Sequence, residues 1–197
     1  VAALFRPGLD ERWFIGPGLL ILAAGCFWMS RMNFDIGPGQ VVWPRVVTVA
    51  GLGLIFAPLN VAAYLYTPLA LRGAAVGLFA LLRNEGGSVG TSLGQTITER
   101  REQFHTLRLN ESLDSLNPAV TSYLDQTQPG YLQQTGDPAA TQQMALQSLE
   151  NLRAHHASLL AYFDCFLLFA ALALGLSALV PAMKRSVATK GAHVAAE

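Results

Sequence analysis

The chain has 197 residues, 52% of them hydrophobic and 13% charged, with a formal net charge of zero. Soluble domains carry roughly 25% charged residues, so the composition argues against a fully water-exposed chain, and the balanced charge offers nothing to a nucleic acid. The apolar residues fall into four long blocks, with the polar residues gathered between the third and the fourth. That is the pattern of a membrane chain, in which each spanning segment satisfies its own backbone hydrogen bonds inside lipid.

The sequence opens at Val1 without an initiator methionine or a signal peptide and goes almost directly into an apolar block. It is therefore expected to be a piece of a longer protein or a truncated reading frame. Cys26 and Cys165 each lie inside an apolar block. They form no disulfide framework and read as small buried hydrophobes.

The first block runs from Trp13 to about Met29, close to the ~20 residues that cross a bilayer. Trp13 and Trp28 stand near its ends, where aromatic belts form. Ser30-Arg31 and Asn33-Phe34-Asp35 mark the polar exit, and Gly37-Pro38-Gly39 predicts a turn. The second block covers 42–66. Pro44 suits a helix start. Pro58 lies inside, where it removes a donor and presses on the carbonyl of Leu54, so a kink is expected there. Thr67-Pro68 is a short break, and the third block covers 71–97, with Arg83-Asn84-Glu85 at its middle.

The polar segment covers 98–158. Its first part, to Leu116, reads as a helix continuing out of the third block. Asn117-Pro118, Gln128-Pro129-Gly130 and Gly136-Asp137-Pro138 predict turns. From Thr141 the pattern is again helical and is expected to run straight into the fourth block, 159–183, after which Lys184-Arg185 opens a basic, Ala-rich tail. An even number of spans puts both termini on one side. Lysines and arginines together divide evenly between the two sides and leave the positive-inside rule undecided, while both lysines fall on the side of the termini.

At about 100° per residue the third helix has three sectors. Val76, Arg83, Gly87, Gly90 and Gly94 share one face. Glu85, Ser88, Ser92, Gln95 and Glu99 share the opposite one, and Leu82, Val89 and Leu93 form the lipid side. The repeats Gly86-x-x-x-Gly90 and Gly90-x-x-x-Gly94, together with Gly87, suit close helix packing. Ionisable groups at membrane depth cost several kcal/mol and face a bundle interior or a watery cavity. Two readings of Arg83 and Glu85 follow. In one they wall a translocation pathway, with Glu85 as a proton or cation site. In the other each is a structural lock, pairing with another helix. Two positions apart, they do not face each other. The stripe of Ser88, Ser92 and Gln95 favours a cavity lining.

On the second helix Asn60 and Tyr64 share a face with Gly53 and Ala57. They are candidates to touch a substrate, and equally to bond across helices. Asp164, about a turn inside the fourth block, reads first as a capping or pairing group near the outer interface and second as a proton relay. His155-His156 do not converge on one metal from a helix. No catalytic dyad, phosphate loop, cofactor or metal site is expected, so an enzyme reading has no support.

The run from Pro44 to Arg101 resembles the late helices of the EmrB/QacA group of the major facilitator superfamily. In that group a Pro-Arg opens a Gly-rich helix with an internal proline, then comes a short Arg-Gly loop, then an Arg-Asn/Gln-x-Gly-Gly-Ser-x-Gly helix. Here these are Pro44-Arg45, Gly51 to Gly53, Pro58, Arg72-Gly73 and Arg83 through Gly90. "HASLLAYFDCF" from His156 to Phe166 is similar to the group's entry into its last helix, with His156 where glutamine is common, and "LDER" at Leu9 to Arg12 resembles the loop before.

The resemblance implies an all-α membrane protein whose four spans (13–31, 42–66, 71–97 and 159–183) are the last of fourteen. It implies a cytoplasmic loop at 1–12, a periplasmic loop at 98–158 and a cytoplasmic tail at 184–197. The family exports hydrophobic drugs in exchange for protons across the inner membrane of bacteria, often with a periplasmic adaptor. Its usual coupling acids lie in helices that this chain does not contain, so this chain alone is not expected to transport. The alternative is a small four-span scaffold or assembly protein in the lipid bilayer.

Overall fold

The computed structural model describes residues 12–34, 37–65, 67–111 and 117–182. The expected tail and the loop at 1–11 lie outside the described residues, as do 112–116 at the end of the first polar helix. Five α-helices make up the fold: α1 (Arg12–Ser30), α2 (Pro38–Leu65), α3 (Arg72–Glu111), α4 (Pro118–Thr135) and α5 (Pro138–Leu179). Single 3-10 turns at Leu69–Leu71 and Val180–Ala182 precede α3 and follow α5. No strand occurs among the described residues. The expected all-α membrane fold class is the one found. Three of the helices, α1, α2 over Gly39–Asn60, and α5 with its closing turn, are long and apolar enough to cross a membrane. The third block is one uninterrupted helix, but its arginines, Glu85 and glycines keep its apolar character below that of the other three.

Several turn signals were absorbed into helices. Pro38 is the first residue of α2 rather than the middle of a turn, and Pro44 lies well inside it. The reason is that proline fits the first helical turn, where its missing N–H has no partner to lose. Gly37 accepts from the Gln40 backbone at 3.0 Å and donates to the Gln40 side chain at 3.4 Å, closing that first turn. Farther in, the rings of Pro44 and Pro58 are among the most completely buried side chains. A polar side chain follows each proline at short range: the Thr48 hydroxyl donates to the Pro44 carbonyl and Asn60 Nδ2 to the Phe56 carbonyl, both at 2.8 Å.

Gln128-Pro129-Gly130 is likewise inside α4 and not a turn. Helix-favouring Leu and Gln residues on both sides carry the helix through it. The two other signals hold. Asn117 caps α4, its Oδ1 accepting from Ala119 N at 3.0 Å with Pro118 at the first position. Gly136 ends α4 at φ 66°, a conformation that only glycine adopts without cost. Asp137 then caps α5, accepting from Ala139 N at 3.0 Å. From there α5 runs unbroken through the polar stretch and the fourth apolar block.

The chain divides into two compact units: residues to Ser92 with those from Phe166, and Leu93–Cys165. In the first, α1 and α2 pack at backbone distance. A methyl group added at Gly51 would stand 2.7 Å from Leu22 N and 2.8 Å from the Gly18 carbonyl oxygen. One added at Gly18 would meet Ile55 at 2.8 Å, and one at Gly25 the Thr48 hydroxyl at 2.5 Å. Ile15, Leu19 and Val180 form a buried cluster beside this contact, with Leu22, Ile55 and Leu59 packed on it. Arg12 Nη1 ties the start of α1 to the Pro181 carbonyl at 3.1 Å. In the second unit, Tyr123 of α4 donates to the Ser148 hydroxyl of α5 at 3.3 Å.

Gly51→Ala should therefore lower the stability of the full-length protein by about 1–3 kcal/mol, the usual cost of overfilling a packed contact. Gly53, whose added methyl group meets nothing within 4 Å, is the control: Gly53→Ala should be neutral or stabilising by up to ~1 kcal/mol. Thermal unfolding in detergent reads both.

Candidate functional site

The polar groups expected on the third helix lie on an open face. None of the 40 residues of α3 is buried. Ala80, Arg83, Asn84, Gly87, Ser88 and Thr91 line a shallow groove of about 760 Å³ along it. These positions recur at three- and four-residue steps, so one helical face makes the groove. Arg83 and Ser88, assigned to opposite sectors from the sequence, both border it. Between them they offer a cation and a hydroxyl, and the Asn84 amide adds both a donor and an acceptor.

Arg83 is held from α2. Its guanidinium carbon lies 4.8 Å from the centre of the Phe56 ring, the geometry of a cation–π contact. Phe56 also supplies the carbonyl that Asn60 bonds, so Asn60 serves its own helix. The Tyr64 side chain lies outside the described residues. Glu85 is exposed and makes no ion pair among the described residues. Arg83 and Glu85 do not pair with each other, as their spacing requires.

Farther along α3, the Ser88 carbonyl accepts from the Thr91 hydroxyl at 2.9 Å. Ser92 is exposed, and Gln95 Nε2 donates to Glu99 Oε1 at 3.1 Å. A methyl group added at Gly86, Gly87 or Gly90 would meet nothing within 4 Å, so these glycines offer an open strip rather than a filled contact. Gly94 is different: its carbonyl accepts a weak bond from the Cys165 thiol at 3.8 Å.

A second constellation, in the other unit, centres on Asp164. His105 Nε2 lies 2.8 Å from Asp164 Oδ2, and Arg101 Nε lies 3.6 Å from the same oxygen. Arg101 and His105 are one helical turn apart on α3 and so share a face. Phe104 backs the pair, with Arg101 5.9 Å from its ring centre and the His105 ring edge-on to it at 5.5 Å. Asp164 thus has the pairing role read first from the sequence. His105 went unnoticed there. The signal that points to it is its four-residue spacing from Arg101, at a site facing a carboxylate that needs a partner. The described residues contain no cluster of three or more His, Cys, Asp or Glu side chains able to hold a metal.

A double-mutant cycle over Arg83→Gln and Phe56→Leu tests the stacked contact. Thermal unfolding of the four proteins should give a coupling of about 0.5–1 kcal/mol. Strict additivity would remove the contact.

The chain is similar to a set of export proteins. It is 30% identical over 148 residues to the multidrug export protein EmrB of Escherichia coli strain K12, a match covering 74% of this chain and 29% of that protein. It is 28% identical over 140 residues to the colistin resistance protein EmrB of Acinetobacter baumannii, covering 71% of this chain and 27% of that protein. It is 30% identical over 109 residues to the fatty acid resistance protein FarB of Neisseria gonorrhoeae, covering 55% and 22%. The chain thus spans less than a third of the length of the curated relatives it matches. No family model and no solved structure matches it.

Proposed function

We propose that this chain, a relative of the EmrB-type transporters of the major facilitator superfamily, is the closing part of a proton-coupled multidrug efflux permease. It belongs to a multi-pass membrane protein. In the proposed arrangement α1, α2, the first part of α3 and the apolar part of α5 are the last four spans. Residues 98–158 form a periplasmic loop, 1–12 and 184–197 lie in the cytoplasm, and the membrane is the bacterial inner membrane. The cargo is a hydrophobic or amphiphilic compound, moved by alternating access with the substrate held near the midplane. A periplasmic adaptor is a proposed partner of the outer loop.

The observation that carries this reading is α3: a 40-residue helix with no buried residue, an open glycine strip and an arginine at the middle of its apolar part. A helix of this kind is stable in a bilayer when other helices cover its polar and glycine faces. The relatives, more than three times longer than the matched part, have the chain to supply them. Glycines 86, 87, 90 and 94 then take close helix contacts. Glu85, with Ser88, Ser92 and Gln95, lines the aqueous pathway. Arg83, fixed on Phe56, sets the charge at the groove, and Asn60 and Tyr64 are the proposed substrate contacts of α2. Glu85 is the proposed proton or cation group of this half.

Glu85→Gln in the full-length protein should abolish or strongly reduce proton-driven drug efflux from cells while leaving expression intact. Unchanged efflux at normal expression would take Glu85 out of the mechanism. Ten apolar spans encoded in frame ahead of Val1 are expected. A start codon close to Val1 with a stable short product would favour the four-span scaffold instead.

A further inference from the structure

We propose that Asp164 and His105 form a second proton-binding site, with Arg101 as the cation that holds Asp164 when the proton is absent. The proposal rests on the reading of the protein as a proton-coupled permease. The three side chains converge on one oxygen, Asp164 Oδ2, with His105 at 2.8 Å and Arg101 at 3.6 Å. They are unevenly covered: His105 is 17% exposed, Asp164 32% and Arg101 52%. The imidazole is therefore the sheltered partner and the guanidinium the exposed one. Among the described residues the ion pairs of Asp164 are with these two groups of α3. The adjoining Cys165 thiol on α5 is turned to the Gly94 carbonyl.

Position supports the assignment. Asp164 is the last carboxylate of α5 before its apolar stretch, since residues 165–182 contain no Asp, Glu, Lys, Arg or His. A carboxylate at such a boundary is either paired or neutralised. Histidine is the side chain that ordinarily changes charge near neutral pH. With His105 neutral, Nε2–H donates to Asp164 and the carboxylate keeps its charge, shared with Arg101. A proton taken from water adds at Nδ1. The imidazolium then carries the countercharge of Asp164 through the same Nε2–H bond, and Arg101 is released to solvent. Loss of the proton from Nδ1 restores Arg101 to the carboxylate. One proton enters, one leaves, and no bond between heavy atoms changes.

The test uses the full-length permease, purified and reconstituted, with ethidium as the probe. Proton release on adding ethidium in weak buffer is read with an indicator dye and normalised to the ethidium bound. H105Q keeps a donor toward Asp164 but binds no proton, so its release should fall below wild type. D164N should lose ethidium transport driven by an imposed pH gradient, and D164E should recover part of it. Wild-type release per bound ethidium in both H105Q and D164N would overturn the site, as would losses that merely follow the amount of folded protein. Absence of proton release from the wild-type permease would overturn the permease reading along with it.

Discussion

No water reaches the hydrocarbon of a bilayer, so a chain that enters it must close its backbone hydrogen bonds within each segment. Everything else in this fold follows from that constraint. It explains why the apolar blocks are helices. It also explains why the prolines within them are tolerated: their rings are buried, and short polar side chains stand close to the affected turns. The same constraint makes cohesion between helices a matter of close packing, because lipid tails are as apolar as the side chains they would replace. The α1–α2 pair meets this demand with glycine against glycine, Gly18 to Gly51, where nothing larger than hydrogen fits.

The two polar constellations are built differently. On α3 the groove around Arg83 is open and made by one helix face, with Phe56 of α2 under the guanidinium. Around Asp164 three ionisable groups satisfy one another at short range. The first arrangement suits changing contents such as a diffusing substrate. The second suits one small, defined occupant. Under the proposed function the first would take the cargo and the second a proton.

Much of the fold was legible in the sequence because its signals are long. Blocks of about 20 apolar residues announce spans whatever their neighbours do, and Gly136-Asp137-Pro138 combined three signals for one break. Two of the proline signals misled. Pro38 and Pro129 each read as a turn, yet a proline in the first turn, or one flanked by good helix formers, leaves the helix in place. The site was legible only in part. Arg83 and Asp164 stand out because charge in an apolar run is costly. Their partners, Phe56 and His105, are ordinary residues on other helices. The four-residue spacing sets His105 on the face of Arg101, but periodicity within α3 does not say that Asp164 of α5 will meet that face.

The glycine contact between α1 and α2 has a mechanical consequence. Two helices whose backbones touch have no layer of side chains between them to shear or repack. They travel as a single strut. Ile55, which fills the space beside Gly18, is followed directly by Phe56, the ring under Arg83. The aromatic platform of the groove is therefore carried beside the close-packed joint of α1 and α2. Whatever rearranges around it, the ring beneath Arg83 keeps a fixed bearing on α1.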